Sequence, residues 1–168
     1  MSEPAEEHSV KAANQRGAAR LAAVQALYQM DLGGADMGSV VAEFEAHRLG
    51  QEIEGAAMRP ADAGFFRNLV NGVVDQQRKI DPAIHNVLPD SWPLKRIDLT
   101  LRSILRCGVF ELMAKPDIPS RVVINEYMDV ARAFFDEDEP GLVNAVLDAI
   151  ARSCRPEEFN QNSQPAQM

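Results

Sequence analysis

The stretch IDLTLRSILRCGVFELMAKP, residues 97–116, decides how the rest of the chain is read. Ile97, Leu101, Ile104, Leu105, Gly108 and Leu112 recur at the three- and four-residue steps of an α-helix, with no competing two-residue alternation. The spacing predicts one long buried helix. Pro116 ends it, because proline has no N–H to continue the ladder.

Downstream, PSRVVINEYMDVARAFF (119–135) puts Val123, Tyr127, Val130 and Phe134 on one face. The acidic run DEDEP (136–140) interrupts, and Leu142, Val143, Val146, Leu147 and Ile150 define a last helix. Upstream, two prolines flank LPDSWP (88–93), which reads as a loop, and Asp81-Pro82 reads as the N-cap and first position of a short separate helix. Before it, a helix starting after Pro60 carries Phe66, Leu69, Val70, Val73 and Val74 as a core stripe. A helix near 39–53 has Ser39 as its N-cap and Val40, Phe44 and Leu49 on its apolar side. The first helix runs from about Lys11 to Leu32, with Ala23, Leu27 and Met30 inward and Gly33-Gly34 as its stop. The expected fold is all-α, a bundle of about seven helices in one domain over 11–155. Its two small subbundles are expected at about 11–88 and 94–155, with flexible tails at 1–10 and 156–168.

Composition sets limits on function. The 168 residues are 46% hydrophobic and 25% charged, ordinary values for a globular chain, and the net charge is -8. That balance disfavours sequence-blind coating of DNA and permits a basic protein partner. No apolar run approaches the ~18–20 residues of a membrane span, and the acidic start MSEPAEEHSV lacks the apolar core of a signal peptide. The expected compartment is the cytoplasm. Cys107 and Cys154 have no paired spacing and read as buried small hydrophobes.

No constellation for catalysis emerges. His8, His47 and His85 fall on different elements, without the Glu-x-x-His or His-Glu-x-x-His spacing of helical metal sites, and read as surface residues. The DEDE run (136–139) lacks the spaced ligands and turn glycine of a calcium loop; it reads as a solvated loop supplying negative charge near the next helix N-terminus. There is no glycine-rich phosphate loop and no nucleophile motif. The chain is therefore expected to be no enzyme and to need neither cofactor nor metal.

Recognition remains. In RGAARLAAVQALYQMDL (16–32), Arg16 and Arg20 stand one turn apart on one flank, Lys11 precedes them, and Tyr28 follows two turns later. Guanidinium groups clamp phosphates, and a tyrosine ring offers an unpaired base a stacking surface. The same residues also suit a plainer role, solvated arginines beside a half-buried tyrosine.

Four segments carry a resemblance that weighs between these readings: AVQALYQMDL (23–32), ILRCGVFEL (104–112), VVINEYMDVARAF (122–134) and LVNAVLD (142–148). Together they resemble the NusB family of bacterial transcription antitermination factors over about residues 14–156. The resemblance implies a fold of two helical subbundles. It implies binding of the single-stranded boxA element of nascent RNA together with NusE, a basic ribosomal protein, within an RNA polymerase complex that resists termination, notably on ribosomal RNA operons. Arg16, Arg20, Tyr28, Asp138, Leu142 and Asn144 fall at positions the family places near RNA, and Lys11, about one and a half turns before Arg16, is expected to add a third positive charge to that site. Leu101, Arg102 and Arg106 fall on the side it uses for its ribosomal partner. Where relatives can carry a longer arginine run, this chain has RGAAR; where they can carry phenylalanine, it has Leu142; where some carry Glu-Lys, it has Leu101-Arg102. Weaker RNA binding alone and heavier dependence on the partner are the expectation. Two alternatives differ in class: the N-terminal domain of an RNA cytosine methyltransferase, which would need a Rossmann-type domain absent from these 168 residues, and a non-catalytic interaction module or homodimer with a masked RNA face.

Overall fold

The computed structural model describes residues 3–34, 36–45, 60–92 and 97–160, with side chains described from residue 15 and, in the third stretch, from residue 62. Seven helices occupy them: α1 (Glu3–Gly33), α2 (Met37–Phe44), α3 (Pro60–Val87), α4 (Leu99–Ala114), α5 (Ser120–Phe134), α6 (Glu139–Cys154) and α7 (Pro156–Asn160). Among the described residues there is no strand, and no helix is long and apolar enough to cross a membrane. The chain is all-α, as the periodicity predicts. It forms two compact units, Met1–Val74 and Asp75–Met168, so the division falls inside α3 and not at the 88–93 loop.

In the first unit, α1 begins at Glu3, and the expected N-terminal tail is helical over 3–10. Pro4 falls in the first turn, where its missing N–H costs no helical bond. At the other end Gly34 adopts φ 62°, and its N–H donates to the Met30 carbonyl at 3.1 Å. That left-handed residue is the glycine stop read from the sequence. Ala19, Ala22, Ala23, Val24, Ala26 and Leu27 are buried, whereas Met30 is only half-buried. The N-cap of α2 is Asp36, not Ser39: its carboxylate accepts the Gly38 N–H at 3.2 Å and the Ser39 hydroxyl at 3.1 Å. A full carboxylate placed one residue before the helix takes the capping role, and Ser39 becomes a first-turn residue. Leu49 and Ile53 lie outside the described residues. Val40 and Phe44 face inward, and the Phe44 ring stacks on Phe66 at 5.8 Å. Leu69, Val70 and Val73 complete this core, but Val74 is 37% exposed.

In the second unit α3 runs on through Asp81-Pro82 without restarting. Ile80 and Ile84 are buried, and the Asp81 carboxylate pairs with Arg106 through Nε at 2.8 Å and a second guanidinium nitrogen at 3.0 Å. Engaged there, Asp81 caps nothing. The 88–92 segment turns, closed by the Trp92 N–H on the Pro89 carbonyl at 2.9 Å; Pro93 lies outside the described residues. Asp98 caps α4 by accepting the Leu101 N–H at 2.8 Å. Helices α4, α5 and α6 pack against one another. Val123, Tyr127 and Val130 are buried, and the buried Tyr127 hydroxyl donates to the buried Glu111 carboxylate. Phe134 departs from the expected core stripe. In the last turn of α5 it is 40% exposed, tilted against Phe135 at 6.5 Å, because the helix ends there and the acidic loop supplies no apolar cover. Gly108 lets α6 approach α4: a Cβ at that position would lie 2.7 Å from Leu147 Cδ1.

Residues 156–160, expected in a tail, form α7, and the cause is Arg155. This buried guanidinium donates to the carbonyls of Leu112 at 2.9 Å, Glu111 at 3.1 Å and Lys115 at 2.6 Å, and also to Ile118. The Leu112 carbonyl lies in the last turn of α4, where burial without a donor would carry a high cost, whereas the Glu111 and Lys115 carbonyls already accept the Lys115 and Ile118 N–H groups at 3.0 and 3.1 Å and gain a second donor from the guanidinium. Arg155 also pairs with Glu158 at 3.2 Å, and Glu158 in turn accepts the Ser120 N–H at 3.2 Å at the start of α5. Pro119, the N-cap of α5, has no side chain to do this. Desolvation pushes the Glu158 carboxyl up, but the Ser120 and Arg155 contacts outweigh it and hold the group below its ordinary range. A carboxyl lowered in the folded state contributes stability that is fully present above the ordinary glutamate value and is lost as the pH falls from there through the lowered folded-state value.

Replacing Gly108 by Ala is expected to lower stability by no more than about 2 kcal/mol in urea denaturation, since overpacking of ~1–3 kcal/mol is partly offset by ~1 kcal/mol of helix propensity. In a Leu147→Ala background the same change should become neutral or stabilising. Arg155→Lys should cost roughly 2–4 kcal/mol, because an ammonium has no fork to serve several carbonyls at once.

Candidate nucleic-acid interface

The sequence predicts a cationic flank on α1, and the first unit builds one around an aromatic ring. The Arg16 guanidinium carbon lies 5.5 Å from the centroid of Phe65 and that of Arg20 lies 5.1 Å from the same ring. One helical turn separates the two arginines, so a single ring on α3 serves both. Arg16 is exposed. Arg20 is buried, with 3% of its surface accessible, and does not face outward as expected. Its planar head gains from the aromatic face, and the burial of a long side chain adds packing. Tyr28, two turns further on, is half-buried. Lys11 belongs to α1, but its side chain lies outside the described residues.

Phe65 escaped the sequence reading, although a signal was present. Adjacent helical residues point about 100° apart, so Phe65 and Phe66 cannot both face one core. Phe66 takes the core, and Phe65, half-buried, meets the arginines. Two residues on, Arg67 is held by Glu45 at 3.1 Å, so its charge is balanced within the unit.

The other expected RNA residues belong to the second unit. Asp138 is exposed at the N-cap position of α6, without a side-chain capping bond. Asn144 is exposed on α6 and lines a groove of about 690 Å³ with Arg121, Asn125, Asp148 and Phe159. Leu142 is only 4% exposed; it belongs to the core because it shares the inward face with Val146 and Ile150, and it offers no surface for a base.

The expected partner residues also divide. Leu101 is 2% exposed and belongs to the core of the second unit, since it lies on the same helical stripe as Leu105. Arg106 is half-buried in its ion pair with Asp81. Arg102 lies with Arg106 at the wall of an apolar cavity of about 350 Å³, lined also by Ile84, His85, Ile97 and Leu105.

Among the described residues no three His, Cys, Asp or Glu side chains could share a metal ion. Cys107 is buried as expected, but Cys154 is exposed; its Sγ lies 3.8 Å from the Leu112 carbonyl, and desolvation pushes its thiol up. A raised thiol holds little thiolate for nucleophilic work.

Fold and site together define an all-α protein with charge gathered on a helix flank and, among its described residues, no candidate metal cluster. The chain belongs to the NusB family, which it matches over residues 17–152. It is 60% identical over 157 residues to the transcription antitermination protein NusB of Rhizobium etli, an alignment covering 94% of this chain and 98% of that one. It is 59% identical to the NusB of Agrobacterium fabrum, covering 89% and 90%. Among solved structures it resembles Thermotoga maritima NusB with TM-score 0.71 and 27% identity, covering 86% and 96%. It resembles a chain in the complex of antitermination factors NusB and NusE with double-stranded RNA with TM-score 0.68 and 28% identity, covering 83% and 98%.

The different surroundings of the two arginines have a measurable consequence. Arg20→Ala should lower stability by about 1–2 kcal/mol through lost packing and ring contact. Arg16→Ala should stay within about 0.5 kcal/mol of the parent in the same thermal denaturation.

Proposed function

We propose that this chain works in transcription antitermination by binding boxA-type RNA of nascent transcripts, notably from ribosomal RNA operons, jointly with the ribosomal protein NusE, and by joining the RNA polymerase complex that resists termination. The observation that carries the reading is the exposed Arg16 guanidinium gathered with Arg20 at one ring, in a chain whose fold-relative forms a complex with NusE and RNA. A net charge of -8 suits a subunit that meets a basic protein, because charge complementarity steers the two together. The RNA is then held by a composite surface, with this chain contributing Arg16, Tyr28, Asn144 and the region of Asp138. Lys11 joins them by its place on α1, one and a half turns before Arg16. The partner meets the side of α4 that carries Arg102 and Arg106, its core anchored by Leu101. Leu142 contributes by shaping the start of α6, and Arg20 by adding charge behind Arg16. No step of this role requires bond-making chemistry. It places the protein with nascent transcripts, in the cytoplasm.

Fluorescence anisotropy of a boxA RNA, single-stranded and duplex, tests this with the protein, NusE and both across a salt series. The mixture should bind more tightly than either component and prefer boxA over scrambled RNA; equal binding of scrambled RNA would overturn the reading. Arg16→Ala should flatten the dependence of log affinity on log salt by about one unit, the signature of one lost phosphate contact.

A further inference from the structure

The Phe65 ring does not complete the core of the first unit, which Phe66 already fills against Phe44. Its face is occupied by two cations from another helix. Two guanidinium groups drawn to one ring, at 5.5 and 5.1 Å from its centroid, repel each other. The negative face of the aromatic ring offsets it and favours Arg on grounds of both charge and planar stacking. Without the ring, Arg16 would be a long exposed side chain sampling many rotamers, driven away from Arg20 and toward the solvent of an acidic protein. With it, the guanidinium is held over one spot of the surface while its outer edge keeps N–H donors for a phosphate. Less rotamer freedom is then lost on binding.

We propose that Phe65 is a positioning residue for RNA: its ring holds the exposed Arg16 guanidinium in a phosphate-ready pose, with buried Arg20 on the same ring reinforcing the local positive field. This rests on the RNA-binding reading above. It adds a residue that carries no charge and makes no contact with RNA itself.

The test compares Phe65→Leu and Phe65→Trp in the full chain, with NusE and boxA RNA, and repeats Phe65→Leu in an Arg16→Ala background. Phe65→Leu should weaken RNA binding about three- to five-fold, the size of one exposed cation–π contact. Phe65→Trp should restore it, and Phe65→Leu should add nothing once Arg16 is Ala. In NMR spectra of the free protein, the Arg16 Nε–H resonance should move downfield in Phe65→Leu as ring-current shielding is lost. Equal weakening in the Arg16→Ala background, or failure of Trp to restore binding, would mean that Phe65 acts through the fold, and the proposal falls. If the parent protein shows no preference for boxA RNA, the RNA reading fails and this role with it; a shifted Arg16 resonance would then mark the ring contact as purely structural. An unmoved resonance together with intact RNA binding would overturn the positioning role alone.

Discussion

The second unit depends on how the carbonyls at the end of α4 are satisfied. A helix leaves its last carbonyls without N–H partners, and burying them unmet would cost more than most single contacts return. Arg155 meets this need for Leu112 from just beyond the end of α6, and the same guanidinium fork reaches Ile118 and adds a second donor to the Glu111 and Lys115 carbonyls, which already accept backbone N–H groups. Because the same fork pairs with Glu158, and Glu158 accepts the first N–H of α5, one side chain fixes the end of α4, the start of α5 and the existence of α7. The close approach of α4 and α6 at Gly108 is compatible with this arrangement, since both helices are already tied at one end.

A comparable economy governs the first unit. Two consecutive phenylalanines on α3 split between core and surface, Phe66 stacking on Phe44 and Phe65 meeting Arg16 and Arg20. The arginines therefore differ: one is buried and structural, the other exposed and available to an anion. An acidic protein can present a usable cation in this way, because local geometry and not net charge decides what a phosphate meets. Membership of the NusB family gives that geometry its functional setting.

Much of the fold was legible from periodicity. The stripes of α4 and α6, the glycine stop of α1 and the inward Val123, Tyr127 and Val130 all follow from three- and four-residue spacing, because burial of one helical face is a local pattern. Terminal features were less legible. Asp36 displaced Ser39 as a cap, Pro82 failed to start a new helix, and Phe134 was left exposed where its helix ends. The cap is a local choice between two competent side chains that apolar spacing does not rank, whereas Pro82 and Phe134 depend on a partner distant in sequence and on the cover a neighbouring loop provides. The site shows the same limit. Arg16 and Arg20 look equivalent in the sequence, and Leu101 and Arg102 stand side by side in it, yet packing buries Arg20 and Leu101 and leaves Arg16 exposed and Arg102 half-buried.

By itself, then, the sequence determined the all-helical class, most of the core and, through its four matching segments, the family, since these are written in local spacing and residue order. The tertiary structure decided which cation is available, which leucines are core and why the chain after α6 is helical. Those outcomes rest on contacts between residues far apart in the chain: Phe65 with Arg16, Asp81 with Arg106, and Arg155 with the carbonyls of α4. Burial and hydrogen-bond satisfaction are set by what surrounds a group in three dimensions, so no reading along the chain could assign them.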